Sequence, residues 1–368
     1  MRERDSRPVA VVARVTAATR VLAAHEEASL DAMAAQIATL RGARYLGRIA
    51  GSERCDGVRP YFVPDDTLEA AQARLLGVQG PDDLFGGVVP YRFAATKVIS
   101  HPLVPGAAVV PAGWVAGLEV SLDGAVLPGF AVFSREDARR AGATLLPLGR
   151  LRLKLARGIG GVGQVLVRDA CELDAALDDL PGDELRTHGA TLEQDLAEAE
   201  TWSIGYATCA GIEMAYVGVQ RQARNRNGHA VYGGSDLDVI RGDFAALAQA
   251  PMPAGARDAV RRAHAYDTAM LAAFPGIFAS RRNYDVVAGR DREGRDAAGV
   301  LEQSWRIGGA SPAELLALRA FAEDPSRRRL RASCHEVHGD HQPPAGATIN
   351  YRGDDPQLGA LSKYAVLG

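Results

Sequence analysis

The chain has 368 residues, 47% of them hydrophobic and 24% charged, with a formal net charge of −3 at pH 7. This length predicts two to three domains with ample apolar material for their cores. The slightly acidic balance excludes a general basic field for nucleic acid or a membrane surface. No secretory signal or membrane-spanning segment is predicted, which favours a cytoplasmic protein.

The cysteines are scattered along the chain and show no C-x-x-C spacing; they are Cys55, Cys171, Cys209 and Cys334. Paired spacing is typical of zinc sites and redox motifs, and disulfide frameworks belong to oxidising compartments. The pattern therefore predicts free thiols in a reducing cytoplasm.

Residues 1–95 are predicted to form a small α/β unit. Strands are expected at residues 9–15 and 61–63, with a helix over residues 30–40 between them. Residues 66–69 resemble a capping box that opens a second helix, and Gly77 is a suitable residue to end it. Strands that alternate with helices indicate a layered α/β arrangement.

Residues 96–190 are organised around residues 151–167, where two apolar-alternating runs flank a loop with four glycines in six positions. The letters match the dinucleotide fingerprint G-x-G-x-x-G. That fold needs a helix directly after the loop and an acidic residue about 20 positions on. Residues 164–167 are extended in character instead, and Asp183 lies in a turn, so the dinucleotide interpretation fails.

The same loop, extended to Val165, also matches the glycine loop of a protein kinase. A kinase needs its lysine on the strand after the loop, whereas Lys154 precedes it, and neither H-R-D nor D-F-G occurs. A β-hairpin with a glycine tip remains. Its peptide N–H groups can close over phosphate oxygens beside the charge of Lys154. The alternative is a tight hairpin without a ligand.

The elements around this hairpin complete a compact α+β flap. A strand is predicted over residues 126–133, and Ser134 is a good N-cap for the helix that follows, with acidic residues in its first turn. A short helix is expected over residues 172–177 after the hairpin.

Residues 191–311 carry the acidic groups. Strands are predicted at residues 191–196, 201–209 and 212–220, with a long helix over residues 256–274. Arginines at positions 221, 224 and 226 are placed in an exposed loop, which is either a solvated turn or an anion-binding lid.

Residues 283–287 and 299–306 are predicted to be two strands joined by a charged turn near Asp291. Antiparallel pairing across this turn brings Asp285 and Glu302 to the same end of the ladder. Two converging carboxylates repel unless a cation lies between them, and hard oxygen ligands suit Mg²⁺ shared with substrate phosphates. Period two places Glu302, Ser304 and Arg306 on one face. The alternative is a surface hairpin with ordinary charges.

Together, the loop, the lysines and the acid pair resemble the ATP-grasp superfamily. The resemblance implies an α+β or α/β protein with an ATP-grasp fold. An N-terminal α/β domain of the pre-ATP-grasp kind is expected over residues 1–95. A small glycine-hairpin flap over residues 96–190 and a C-terminal antiparallel sheet with helices over residues 191–368 follow it. The chain also resembles a bacterial ATP-grasp-like family without an assigned substrate, in residues 232–236 and 300–311.

The resemblance implies roles for individual residues. Nucleotide-binding residues are expected at Lys97, Lys154, Gly158, Gly160, Gly161, Gly163, Glu193, Gln194, Leu196 and Glu200. The metal ligands implied are Asp285, Glu302 and Ser304, where Ser304 departs from the asparagine usual in the family. Arg306 and Lys154 are the implied catalytic residues.

The implied function is an ATP-dependent ligase that uses Mg²⁺ and joins a small carboxylate to an amine or other nucleophile through an acyl phosphate. Two alternatives remain open: a nucleotide-binding regulator or assembly partner without ligase chemistry, and a small-molecule kinase. No nucleic acid or membrane partner is expected, and a homodimer is among the assemblies that the sequence allows.

The C-terminal part adds two expectations. Residues 311–314 form a capping box with proline at the first helical position. Cys334, His335, His338 and His341 have spacings that suit a soft metal, but the favoured interpretation is an irregular polar segment.

Overall fold

The computed structural model describes residues 10–17, 21–49, 58–156, 158, 163–180, 183–224, 228 and 230–368. Its first sheet has three parallel strands, β1 (Val11–Val15), β2 (Arg44–Ile49) and β3 (Tyr61–Pro64), in the order β2-β1-β3. Between β1 and β2 runs helix α1 (Ala24–Leu40), whose apolar face enters the core. The predicted α/β unit is present, and its first helix begins six residues earlier than residue 30.

A short strand follows before the second helix. Strand β4 (Leu68–Glu69) pairs in parallel with β5 (Gly87–Val89), and helix α2 (Ala70–Leu76) lies between them in the chain. The predicted capping box at residues 66–69 is therefore wrong, because Leu68 is buried in a strand and Glu69 is the N-cap. The peptide N–H of Glu69 donates to the side-chain oxygen of Gln72 at 3.1 Å. Gly77 ends the helix with φ +74°, as predicted.

The flap is a four-stranded sheet covered by helices on one face. After the short helix α3 (Leu118–Ser121), its elements are β6 (Gly129–Val132), α4 (Arg135–Leu145), β7 (Leu151–Leu155), β8 (Gln164–Val167), α5 (Ala170–Asp178), α6 (Glu184–His188) and β9 (Ala190–Gln194). The strand order is β6-β9-β7-β8. Ser134 caps α4 by accepting a hydrogen bond from the peptide N–H of Asp137 at 3.0 Å. The predicted glycine hairpin is present as the antiparallel pair β7–β8.

The C-terminal part contains an eight-stranded sheet. Its elements in chain order are β10 (Ala197–Cys209), β11 (Ile212–Arg224), β12 (Ala230–Arg241), α7 (Phe244–Gln249), α8 (Ala254–Ala273), β13 (Phe278–Ala279), β14 (Arg281–Arg290), β15 (Asp296–Ser304), α9 (Ser311–Glu323), β16 (Arg329–His338), β17 (Thr348–Asp355) and β18 (Gly359–Leu367). The sheet order is β15-β14-β10-β11-β12-β16-β18-β17, while β13 joins β5.

Helices cover both faces of this large sheet. Residues of α7 and α8 pack with Ile204, Val217 and Val286 on one face. Residues of α9 and α1 pack with Tyr216 and Leu237 on the other. Because α1 belongs to the first unit, the core formed by α1, α9 and the large sheet joins the N-terminal unit to that sheet.

Two sequence interpretations of this region are wrong. Arg221 and Arg224 lie within β11 and not in a loop, and position 226 falls outside the described residues. Arg221 pairs with Asp236 and donates to the carbonyl oxygen of Cys334 at 2.6 Å, so its charge is already used.

Cys334, His335 and His338 lie in the regular strand β16, and the expected irregular segment begins only after it, where His341 lies. Within the described ranges, no group of three or more His, Cys, Asp or Glu side chains is placed to hold a metal ion, so the soft-metal alternative gains no support. Cys171, Cys209 and Cys334 are free. Among the helices of the described residues, none is both long enough and apolar enough to cross a membrane.

Candidate active site

The β14–β15 hairpin places two carboxylates side by side. The sequence predicted these residues at the same end of the antiparallel ladder, and in the structure Asp285 lies directly opposite Glu302. Burial, followed by the charge of Glu302, raises the pKa of Asp285 to about 7. The two carboxylates therefore repel each other, and a cation bound between them would relieve this repulsion.

Edge strand β15 also fixes the position of Lys97. Gln303 faces away from Glu302, is buried, and accepts a hydrogen bond from the Tyr266 hydroxyl at 2.9 Å. Its amide nitrogen donates to the carbonyl oxygens of Ala94 at 3.2 Å and Thr96 at 2.6 Å. This arrangement holds the chain just before Lys97 against the edge of the large sheet.

Lys97 opens a short 3-10 helix, Lys97–Ser100, and its ammonium lies at the junction of three parts of the molecule. It pairs with Glu302 at 2.8 Å and donates to the carbonyl oxygen of Gly158 in the glycine loop at 2.6 Å. Burial acts to raise the pKa of Glu302, but Lys97, with help from Lys154 and Arg306, holds it below its ordinary value. The positive side chains therefore act on one carboxylate.

Lys154 on the flap forms a second lysine–glutamate pair, like that of Lys97 with Glu302. It lies on β7, diagonally across from Glu193 on β9, and the two side chains form an ion pair. The second carboxylate oxygen of Glu193 is bonded to Nε2 of His101 at 2.9 Å. Burial acts to raise the pKa of Glu193, but Lys154 and His101 outweigh it, and the pKa lies below its usual value.

The predicted hinge follows directly. Gln194 is nearly buried, and its peptide N–H donates to the carbonyl oxygen of Pro128 at 2.9 Å. Leu196 packs in a small apolar cluster with Leu127 and Val287. Glu200 is exposed on β10, opposite Ala288, in the same β10–β14 ladder that holds Asp285.

The glycine loop is described at its two ends. Gly158 meets Lys97, as noted, and Gly163 has φ +76°, with its carbonyl oxygen accepting from the peptide N–H of Leu155 at 3.0 Å. A positive φ favours glycine here. The predicted nucleotide contacts at Gly160 and Gly161 lie outside the described residues.

A buried ion pair holds the end of β15. Arg281 and Glu314 are bonded at 2.7 Å and both are buried. Arg281 also donates to the carbonyl oxygen of Ser304 at 3.0 Å, and its nitrogen lies 3.4 Å from the Ser304 hydroxyl. The predicted capping box at residues 311–314 is wrong, because Ala310 is the N-cap and Glu314 bonds Arg281.

Arg306 lies just beyond the strand. Its guanidinium donates to the carbonyl oxygen of Ile307 at 3.0 Å and is 3.6 Å from the carboxylate of Asp66, which belongs to the first unit. It is partly exposed, and its charge acts on Glu302. The guanidinium therefore keeps donors that a phosphate or carboxylate can use.

Sequence reasoning missed two residues in this cluster. Gln220 on β11 donates to a carboxylate oxygen of Asp285 at 2.7 Å. His101 bonds Glu193, as described above. Neither carries a sequence signal, because both contacts depend on which strands and segments become neighbours in the fold.

The donors suit a magnesium nucleotide. Asp285 and Glu302 offer hard carboxylate oxygens side by side, and Mg²⁺ prefers such ligands. The ammonium groups of Lys97 and Lys154 and the Arg306 guanidinium supply the positive charge that phosphates need. Ser304, by contrast, has its hydroxyl beside the Arg281 cation.

Comparison with known proteins now adds a family. A family model described as a protein of unknown function, DUF3182, matches residues 12–365. The chain belongs to the DUF3182 family. None of the curated proteins matches the sequence.

Solved structures resemble this DUF3182 protein in fold. D-alanyl-alanine synthetase A from Vibrio cholerae is 11% identical, with a TM-score of 0.50, over 88% of this chain and 96% of the synthetase. Phosphoribosylamine–glycine ligase from Thermotoga maritima is 11% identical, with a TM-score of 0.48, over 97% of this chain and 92% of the ligase. At such low identity the likeness to the synthetase shows the fold alone, and the predicted ATP-grasp fold is confirmed.

Proposed function

We propose that this DUF3182 protein is an ATP-dependent ligase that activates a small carboxylate and joins it to an amine or another nucleophile. One observation carries the proposal: the Lys97 ammonium pairs at 2.8 Å with Glu302, the carboxylate that lies directly opposite Asp285. The charges of Lys154 and Arg306 also help to lower the pKa of Glu302. The proposal assigns these cations to the phosphates of ATP and the two carboxylates to Mg²⁺, at one point between the flap and the large sheet.

Each step of the reaction uses groups already placed there. A carboxylate oxygen of the substrate attacks the γ-phosphorus of ATP, and the bond from that phosphorus to the β,γ-bridging oxygen breaks. The products of this step are ADP and an acyl phosphate. The amine then attacks the acyl carbon, loses a proton, and inorganic phosphate departs. Lys97, Lys154 and Arg306 would position the phosphates and neutralise charge that develops during transfer. Mg²⁺ held by Asp285 and Glu302 would supply further neutralisation.

The first test is calorimetric titration with a non-hydrolysable ATP analogue, with and without Mg²⁺. We expect binding that Mg²⁺ strengthens, and loss of that strengthening in Glu302→Ala. Glu323→Ala is a matched control, because Glu323 ends helix α9 and pairs loosely with Arg319 at 3.7 Å on the surface. The absence of analogue binding by the unmodified protein would overturn the proposal.

The second test identifies the chemistry. With ATP and pooled carboxylates, hydroxylamine in place of the amine should capture the acyl phosphate as a hydroxamate, with equal amounts of ADP and inorganic phosphate. A stable phosphorylated product would instead indicate a small-molecule kinase. The position of Ser304 beside Arg281 favours one other candidate, a nucleotide-binding protein without ligase chemistry. Binding of the analogue without carboxylate-dependent ADP release would support that candidate.

A further inference from the structure

His101 is the second donor to Glu193 and is wholly buried. Glu193 has two carboxylate oxygens, of which one pairs with Lys154 and the other with His101. The carboxylate thus receives an ammonium from β7 and an imidazole from the segment after Lys97. A buried carboxylate oxygen without a hydrogen-bond partner carries a large desolvation cost, so both oxygens of Glu193 need a donor.

The flap is built to admit the imidazole. Gly129 on β6 lies directly opposite Glu193, and a Cβ atom there would come within 2.6 Å of Cε1 of His101. Atoms do not approach that closely, so only glycine at this position lets the ring lie over β6 and reach the carboxylate. The following residue, Pro102, fixes the segment further, because its carbonyl oxygen accepts from the peptide N–H of Ala131 at 2.8 Å.

The buried His101 ring leaves one of its nitrogen atoms without a hydrogen bond to any described residue. Nδ1 of His101 is buried and has no hydrogen-bond partner among the residues that the structure describes. A leucine or phenylalanine would fill the same space without that unmatched atom. The bond from Nε2 to Glu193 is therefore the feature that distinguishes histidine from an apolar residue here.

We propose that His101 is a positioning residue that keeps the Lys154 ammonium, through Glu193, in the orientation in which it meets the phosphates of a nucleotide. With His101 on one oxygen, Lys154 bonds the other and keeps two N–H donors for the ligand. Without His101, the ammonium moves to share both oxygens of Glu193 and turns donors away from the phosphates. This inference rests on the proposed function, because it assumes that Lys154 contacts phosphate.

The test compares ligands with and without phosphates. We expect His101→Leu to bind a Mg²⁺-loaded ATP analogue about tenfold more weakly than the unmodified protein and to bind adenosine within twofold of it. His101→Gln, which keeps a donor near the same place, should recover most of the loss. His25→Leu is the matched control, since His25 is also a buried histidine with an unpartnered Nδ1 but lies on α1. Equal weakening of both ligands in His101→Leu, or no weakening, would overturn the inference.

A second measurement needs no nucleotide and separates the two proposals. We expect the ¹⁵N signals of the His101 ring to show the Nε2-protonated tautomer and to shift in Lys154→Met, since Glu193 then faces His101 alone. Lys363→Met, which removes a lysine paired with Glu336 at 2.9 Å, should leave these signals unchanged. If the ATP analogue fails to bind but the shift is seen, the proposed function falls and the link between His101 and Lys154 stands. If the analogue binds and the shift is absent, only the link falls.

Discussion

The two lysine–glutamate pairs of the candidate site lie in different parts of the molecule and differ in how far water reaches them. In the Lys154–Glu193 pair of the flap, each side chain is 3% exposed. In the Lys97–Glu302 pair at the edge of the large sheet, the lysine is 5% exposed but the glutamate is 34% exposed. Burial makes the first pair a fixed part of the folded flap, whereas the second keeps an open carboxylate that a cation can approach.

The two glutamates also differ in whether their oxygens are free to bind a metal ion. Glu193 has both oxygens occupied by protein donors, so it offers none to a metal. Glu302 has Asp285 beside it, and this neighbour brings a like charge. Under the proposed function, the flap pair would present a fixed cation to the phosphates, and Glu302 would exchange Lys97 for a metal ion when the ligand enters.

The largest difference is expected in stability. Lys154→Met leaves Glu193 buried without its ammonium, and breaking a buried pair from one side typically costs about 3–5 kcal/mol. Lys97→Met leaves Glu302 partly in water, and we expect a smaller loss than in Lys154→Met, because water can replace part of the lost ion pair. Urea unfolding of the two variants measures both values.

A double variant sharpens this result. Lys154→Met with Glu193→Leu removes both charges, and buried pairs replaced by apolar groups often lose little stability. We therefore expect the double variant to recover part of the free energy of unfolding lost in Lys154→Met, but not all of it, because Glu193→Leu also leaves Nε2 of the buried His101 without its acceptor. Equal losses in Lys154→Met and Lys97→Met would contradict the distinction between the pairs.

The next effect concerns the space that the flap keeps for His101. Gly129→Ala introduces a Cβ atom 2.6 Å from the imidazole, and overpacking of this kind costs about 1–3 kcal/mol. Gly80→Ala is the control, because a Cβ atom there meets no heavy atom within 4 Å. Thermal unfolding should show a clear drop for the first variant and little change for the second. A flap that tolerated alanine at position 129 would show that the ring is free to move aside.

The pH dependence tests the open carboxylates. The pKa of Asp285 is raised to about 7 in the folded chain, above its value of about 3.9 when unfolded. Its contribution to stability is therefore fully present below pH 4 and is lost as the pH rises through 7. Cation binding has the opposite sign, because it needs the ionised form.

We expect Mn²⁺ binding, measured by electron paramagnetic resonance without nucleotide, to be about tenfold weaker at pH 6 than at pH 8. Asp285→Asn should bind more weakly and lose this dependence. The same pH profile in Asp285→Asn would show that another group is titrating. We expect no dependence of this kind from the Lys154–Glu193 pair, because the pKa of Glu193 is lowered and its carboxylate stays ionised between pH 6 and pH 8.

Contacts between neighbouring strands could be predicted from the sequence, whereas contacts between distant segments could not. That Asp285 and Glu302 lie at the same end of the ladder was predictable, because a short turn joins their strands. Their exact pairing was not, because the register set by the turn places Leu301 opposite Asp285, and an irregularity between Asp285 and Val286 brings Glu302 there instead. The contacts of Lys97 and His101 were not, because both depend on a segment that bridges two sheets. Glu314 shows the same limit: its spacing from Ser311 predicts a cap, but the buried Arg281, 33 residues earlier in the chain, pairs with its carboxylate.

Gln220 provides the smallest and most local test of the open site. It reaches Asp285 only because β10 lies between β11 and β14, an order that no local pattern contains. Its amide donates to Asp285 and lowers the pKa of that carboxyl, against the larger effect of burial. Gln220→Met keeps the length but removes the donor, so the pKa of Asp285 should rise further. A lost hydrogen bond of this kind amounts to about 1 kcal/mol, or less than one pH unit. The midpoint of the Mn²⁺ binding profile should move upward by that amount, with the stability of the flap pair unchanged. A downward shift would mean that the amide opposes the ionised carboxylate, and the assigned direction of the hydrogen bond would then be reversed.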